Sequence, residues 1–99
     1  FDPSELIKKT FGMYGGQDIE VKLLCQNDLA GVVLDRFGRD VWMRPVDENQ
    51  FVVHVNVVVS PQFFGWLTGV GNHMKIVEPI EVRKAYKKYL EIILEGYGV

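Results

Sequence analysis

Apolar and polar residues alternate between Asp18 and Gln26, which is the period of a β-strand with one buried face. The apolar residues that follow recur with helical spacing up to Gly38, so a helix is predicted directly after this strand. Asn27 and Asp28 are predicted to cap it, because their side chains accept hydrogen bonds from free backbone N–H groups. The apolar positions are Ile19, Val21, Leu23 and Cys25 in the strand and Leu29, Val32, Val33 and Phe37 in the helix.

A second alternating stretch covers residues 41–46, and after a polar turn at residues 47–50 comes the most β-branched run of the chain, residues 51–59. These two stretches predict a β-hairpin. Pro45 has no backbone donor and is therefore expected on an edge strand. The strand at residues 51–59 is expected in the interior of the sheet.

Ser60 and Pro61 predict the start of a second helix, since serine is a preferred N-cap and proline is tolerated at the first helical position. Gly71 is predicted to end this helix, residues 73–77 to form a fourth strand, and the residues after Pro79 to form an amphipathic terminal helix. A short helix is expected at residues 3–11, with a glycine-rich joint at residues 12–16. The apolar stripes are Phe63, Trp66, Leu67 and Val70 in the second helix and Val82, Ala85, Tyr86, Tyr89, Leu90 and Ile93 in the terminal helix.

This order of elements, βαββαβ with a final helix, predicts an α+β fold. Two βαβ crossovers that flank a hairpin are typical of the ferredoxin-like arrangement. We therefore expect an antiparallel sheet with two helices on one face, plus the C-terminal amphipathic helix.

Composition and charge exclude several classes of protein. The chain has 99 residues, 47% of them hydrophobic, which suffices for one folded domain. Its net charge of −2 is spread along the chain and gives no field for binding DNA. One cysteine, no signal peptide and no long apolar run favour a cytoplasmic location.

No pattern in the chain predicts catalysis, a metal or a cofactor. Cys25 falls on the same alternating positions as the apolar residues of its strand and has no histidine near it in sequence. A buried structural thiol is therefore favoured over a nucleophile. His54 and His73 lack the spacing of zinc ligands, and His73 is expected to be a solvated turn residue. Gly65 and Gly69 lie inside a helix and indicate close packing rather than phosphate binding. The chain is predicted not to be an enzyme.

The alternation of side chains between the two faces of each strand indicates a binding surface instead. If the odd strand positions face the helices, the even positions form the opposite sheet face, where cationic, aromatic and amide groups can hold a polar ligand, a nucleic acid or a protein partner. The alternative is that the terminal helix or a neighbouring domain covers this face. Arg36 and Arg39 form a second candidate contact for a partner. The candidate residues on the sheet face are Lys22, Trp42, Arg44, His54 and Asn56, beside Leu24 and Lys75.

Residues 64–79, which read FGWLTGVGNHMKIVEP, resemble the closing signature of bacterial WYL-domain transcriptional regulators. In that signature a helix that ends in Trp-Leu and paired glycines leads to a short strand and then to Glu-Pro. Phe11-Gly12 and the strand Val21-Lys22-Leu23-Leu24 are similar to the start of the same region, the C-terminal extension or WCX domain. The likeness covers residues 11–94. It departs from the family pattern at His73 and Met74 and in the turn at residues 47–50, which lacks a glycine.

The resemblance implies a regulator with an N-terminal winged helix-turn-helix, a WYL domain that senses a ligand, and this extension. Residues 1–16 would lead in from an upstream WYL domain, and residues 17–99 would be the WCX domain. The implied role is in dimer architecture and effector response. The implied partner is the WYL domain of the same or a partner subunit in a homodimer, with DNA bound only through the helix-turn-helix and no membrane contact. The alternatives are direct binding of a nucleic-acid or nucleotide effector on the sheet face, and a stand-alone small-molecule sensor.

Overall fold

A computed structural model of the chain describes residues 4–14 and 16–98. These residues form four strands and four helices, and a single 3-10 turn, Asn27–Leu29, precedes the second helix. The predicted class, an α+β chain with an antiparallel sheet, is confirmed. In chain order the elements are α1 (Ser4–Tyr14), β1 (Asp18–Gln26), α2 (Ala30–Phe37), β2 (Trp42–Pro45), β3 (Gln50–Val58), α3 (Pro61–Val70), β4 (Met74–Glu78) and α4 (Ile80–Glu95).

The four strands form one sheet in the order β2-β3-β1-β4, and each neighbouring pair is antiparallel. β2 is an edge strand, as Pro45 predicted, and β3 is an interior strand. The turn between them is stabilised by the Asp47 carboxylate, which accepts a hydrogen bond from the Asn49 N–H at 2.7 Å. Strand β1 pairs with β3 along its whole length, from Asp18 opposite Val58 to Gln26 opposite Gln50.

The core lies on the odd face of the sheet, as the alternation predicted. On β1 the odd residues Val21, Leu23 and Cys25 are fully buried. The registers place Val55, Val53 and Phe51 of β3 opposite them, and Ile76 and Met74 of β4 on their other side. Buried residues from the 3-10 turn, α2, α3 and α4 complete this core, namely Leu29, Val33, Phe63, Phe64, Leu67, Val82 and Ala85.

Phe64 joins three helices within the core. This ring is fully buried, and its centroid lies 5.3 Å from that of Phe11 in α1 and 5.1 Å and 5.4 Å from those of Tyr86 and Tyr89 in α4. Helix α4 also contacts α1 and the edge strand β4. The terminal helix therefore extends the helical layer on the core side of the sheet.

The ends of α3 match the prediction in detail. The Ser60 hydroxyl accepts a hydrogen bond from the Phe63 N–H at 3.2 Å, with Pro61 in the first turn. Gly71 ends the helix with a φ of 94°, a conformation in which a side chain would be strained. Predicted strand bounds differ from the observed ones by one residue, as at β3 and β4.

Three local predictions were wrong. Asn27 and Asp28 cap no helix, because the 3-10 turn separates them from α2 and their side chains bond elsewhere: the Asn27 amide donates to the Glu48 carbonyl. Helix α1 continues through residue 12 to Tyr14, where a joint was expected, while Pro3 of the predicted helix and Gly15 of the predicted joint lie outside the described residues. No other part of the described chain packs closely against Gly65 or Gly69, since a Cβ at either position would meet no atom within 4 Å.

Candidate binding surface

The even positions of three strands form two rows across the face of the sheet opposite the core. In the first row, Lys22 of β1 lies opposite His54 of β3, and His54 lies opposite Trp42 of β2. In the second row, Leu24 lies opposite Val52, and Val52 opposite Arg44. Side chains on one face at opposed positions are close enough to interact. The register therefore brings the predicted residues together with Glu20 and Val52 on one surface, which we call the sheet face: Glu20, Lys22, Leu24, Trp42, Arg44, Val52, His54, Asn56 and Lys75.

Trp42 is the most prominent side chain of the sheet face. It is 51% exposed, so it does not belong to the core, and the terminal helix does not cover it. The Arg44 guanidinium carbon lies 5.5 Å from the centre of its ring, within range of a cation–π contact. The His54 ring lies on the neighbouring strand β3, with the two ring centres 4.7 Å apart and their planes at 79°. These two contacts hold the indole in place while half of it stays exposed.

Glu20 is a member of this surface that sequence reasoning missed. Its Oε1 lies 3.0 Å from Nδ1 of His54, although the register places Glu20 opposite Asn56. The contact is therefore diagonal, between residues two positions apart along β3. The full register of the β1–β3 pair would have revealed it, because a carboxylate can reach a diagonal neighbour.

Leu24, which was predicted on this face, and Val52, which was not, give the sheet face an apolar centre. Val52 is only 4% exposed even though it lies on the face opposite the core. Lys75 of β4 lies opposite Leu24 and is exposed, so it adds a cation at the other end of the second row. The complete face combines an apolar centre, an aromatic anchor, and both cationic and anionic groups at its rim.

The second predicted contact, Arg36 and Arg39, lies apart from the sheet face. Arg36 belongs to the helical layer, where its guanidinium carbon lies 5.6 Å from the centre of the Trp66 ring. The Phe37 ring meets the same indole edge-on at 5.5 Å. Arg39 is exposed just after the end of α2. The structure thus gives Arg36 an internal partner in α3 and does not bring it to the predicted binding residues on the sheet.

The other polar candidates have structural contacts. His73 lies in the turn before β4 with its side chain 40% exposed, as expected of a solvated turn residue, and its Nδ1 lies 2.8 Å from Oδ2 of Asp28. Cys25 is fully buried, and burial raises the pKa of its thiol to about 12. In the part of the chain that the structure describes, no group of three or more His, Cys, Asp or Glu residues lies together as a metal site would require.

Cys25 is expected to resist thiol reagents in the folded chain. Because burial raises the pKa of the thiol from 9.0 to about 12, its thiolate population at pH 8 falls by about a thousandfold. We expect no reaction with 5,5′-dithiobis(2-nitrobenzoate) at pH 8 on the time scale of minutes, and one equivalent at once in denaturant. Fast labelling without denaturant would mean that the odd face of β1 is not buried.

A comparison with protein-family models matches the chain to the WCX domain over residues 17–94. The chain therefore belongs to the WCX domain family. This match confirms the resemblance on which the sequence interpretation rested, and membership indicates a regulatory C-terminal module of WYL-domain proteins. Searches of curated proteins and of solved structures returned no match. None of the helices within residues 4–14 and 16–98 is long and apolar enough to span a membrane.

Proposed function

We propose that the chain is the C-terminal regulatory and interaction module of a cytoplasmic bacterial transcriptional regulator, and that its sheet face docks on the WYL domain of the same or a partner subunit. Through this contact the module contributes to dimer architecture and to the response to an effector. It binds and does not catalyse, and DNA is bound by the helix-turn-helix of the full protein. Family membership supports the class of protein, and the geometry of the sheet face supports the contact.

The observation that carries this proposal is the half-exposed Trp42, held between Arg44 and His54 beside a small apolar centre. Tryptophan and arginine are the residues most enriched among those that dominate the binding energy of protein interfaces. The rim carries the cations Lys22, Arg44 and Lys75 together with the carboxylate of Glu20. A surface of mixed sign suits a folded domain with complementary groups better than it suits a uniform polyanion.

The proposal also includes the layout of the chain. Residues 1–16 would lead in from the WYL domain, and residues 17–99 would form the module, with a ferredoxin-like arrangement of its elements. The order βαββαβ from β1 to β4 supports this arrangement, to which α1 and α4 are additions.

Sedimentation velocity tests the docking proposal. The chain is mixed with a separately expressed WYL domain of its own regulator, and each component is also run alone. We expect a faster-sedimenting species in the mixture that neither component forms by itself, with micromolar affinity for a separated pair. If the mixture sediments as the sum of its components at concentrations of about 100 μM, the module does not dock on the WYL domain.

A second candidate function is direct binding of a nucleic-acid or nucleotide effector on the same face. It is favoured by the exposed part of the Trp42 indole next to Arg44, with Lys22 in the same row beyond His54, since bases stack on aromatic rings and phosphates pair with cations. Short single strands of nucleic acid are expected to quench the tryptophan fluorescence at low salt. Their affinity for the chain is expected to fall steeply as salt is added. A spectrum that does not change at low salt excludes this function for the chain alone.

A further inference from the structure

A groove runs between the edge strand β4 and the exposed side of α4, on a different part of the molecule from the sheet face. Its cavity volume is about 630 Å³, which is within the range of sites for small ligands. The C-terminal end of α3 closes one end of the groove at Thr68 and Gly71. Lys75 is the one residue that the groove shares with the sheet face.

The floor of the groove is aliphatic. Met74 and Ile76 contribute from β4, and Ile80 and Leu90 contribute from α4. Ile80 is 49% exposed and Leu90 is 38% exposed, so part of this apolar surface is in contact with water. Burying such surface against a ligand is favourable, because it removes apolar area from water. Among the described residues that line the groove, the aromatic one is Tyr86, whose ring packs against Phe64 and Tyr89. The exposed aliphatic side chains suit an alkyl chain better than a stacked base.

The rim of the groove is cationic. Lys75 lies on the β4 side, and Arg83, Lys84 and Lys87 lie on the α4 side. No aspartate or glutamate of the described residues lines the groove, and none of these four cations forms an ion pair there. The next lysine of α4 behaves differently, because Nζ of Lys88 lies 3.3 Å from Oε2 of Glu91.

The spacing of the cations on α4 favours the binding of an anion. Arg83 and Lys87 are four residues apart, so they are neighbours on the helix surface and repel each other. Lys84 lies beside them and adds to the same positive potential. A single anion between these side chains would relieve the repulsion and pair with several of them at once.

The two hydroxyl groups at the polar end of the groove, those of Thr68 and Tyr86, offer a ligand only acceptors. The Thr68 hydroxyl donates its hydrogen to the Phe64 carbonyl at 2.8 Å, and its oxygen lies 3.1 Å from the Tyr86 hydroxyl oxygen. Because Thr68 has only one hydrogen to donate, Tyr86 donates to Thr68 and offers the groove lone pairs alone. An anionic head is therefore directed away from Tyr86 and towards the cations of the rim.

From these observations we infer that the groove between β4 and α4 binds a small amphipathic anion, with an alkyl chain on the aliphatic floor and a carboxylate or similar head among Arg83, Lys84 and Lys87. The charge of the rim selects the head, and the floor selects the chain. A ligand that lacks either the alkyl chain or the anionic head loses one of these two interactions and is expected to bind more weakly.

Isothermal titration calorimetry of the 99-residue chain with sodium decanoate tests this inference, and three further ligands separate its parts. Decyltrimethylammonium has the same chain with the opposite charge, acetate has the head alone, and a twelve-nucleotide oligothymidylate represents a nucleic-acid ligand. We expect decanoate to bind and the other three to bind at least about tenfold more weakly. Decanoate should also shift the backbone amide NMR signals of β4 and α4.

Matched variants locate the site. The double variant Lys84→Gln/Lys87→Gln is expected to weaken decanoate binding by about tenfold. The control Lys88→Gln removes one charge from the same helix outside the groove and should leave the affinity unchanged within about twofold. Leu90→Ser should weaken decanoate binding through the floor. Circular dichroism establishes that each variant is folded.

Several results would overturn the inference. They are the absence of decanoate binding, equal binding of decyltrimethylammonium, equal loss in the Lys88→Gln control, and displacement of decanoate by the oligonucleotide at lower concentration. Because the measurement needs no WYL domain, its failure is independent of the docking proposal.

Discussion

Replacing Phe64 by alanine is expected to lower the free energy of unfolding by about 3–5 kcal/mol. The Phe64 ring is fully buried and contacts aromatic rings of α1 and α4 as well as its neighbour Phe63, at 6.2 Å between centroids. Its removal leaves a cavity where three helices meet. Since domains of this size are stable by about 5–15 kcal/mol, the change removes a large share of the total. Urea denaturation followed by far-ultraviolet circular dichroism measures the loss.

Two further variants keep this prediction testable even if Phe64→Ala does not fold. Phe64→Leu retains most of the volume and should cost about 1–2 kcal/mol, which urea denaturation resolves. Tyr97→Ala removes an aromatic ring that is 74% exposed and should change the unfolding free energy by less than about 0.5 kcal/mol. A loss at position 64 no larger than the loss at Tyr97 would show that α1 and α4 do not pack on α3.

Replacing Trp42 by alanine is expected to weaken binding to the WYL domain by about 2 kcal/mol, or roughly thirtyfold in Kd. The indole presents half of its surface to a partner, while its contacts to Arg44 and His54 fix its position. The free energy of unfolding should fall by only about 1 kcal/mol, because the side chain lies on an edge strand and is incompletely buried. Binding and stability are therefore affected to different degrees, and sedimentation and urea denaturation measure the two effects separately.

The control for Trp42 is another exposed apolar residue on the opposite side of the sheet. Val32 of α2 is 37% exposed, and Val32→Ala should leave the affinity for the WYL domain unchanged within about twofold. Trp42→Phe should recover part of the affinity, since an aromatic ring remains beside Arg44. Equal affinity of Trp42→Ala and the unchanged chain would exclude the sheet face as the docking surface.

The two faces of the sheet could be predicted because strand periodicity is a local property. Val21, Leu23 and Cys25 alternate with Glu20, Lys22 and Leu24, and a strand turns successive side chains to opposite faces whatever its neighbours are. The same reasoning placed Trp42 on the exposed face. Pro45 identified the edge strand because a missing N–H is a property of the residue itself.

Contacts between helices and strands could not be predicted from local periodicity. Phe64 was not part of the apolar stripe predicted for α3, because one periodic stripe describes a helix with one buried side. Helix α3 is buried against the sheet through Phe63 and Leu67 and against α1 and α4 through Phe64. The cap predicted at Asn27 failed for a similar reason, since its amide bonds to Glu48, which is distant in sequence.

The sequence by itself determined the class of fold, the two faces of the sheet and membership of the WCX domain family. It could do so because periodicity, caps and the Trp-Leu to Glu-Pro signature are patterns of residues that are close together in the chain. The tertiary structure decided which side chains meet. Strand register placed Glu20 on His54 and brought Lys22, His54 and Trp42 into one row. The packing of α4 beside β4 brought Lys75 to the cations of α4 around one groove. Such juxtapositions depend on distances between elements, which no local pattern encodes.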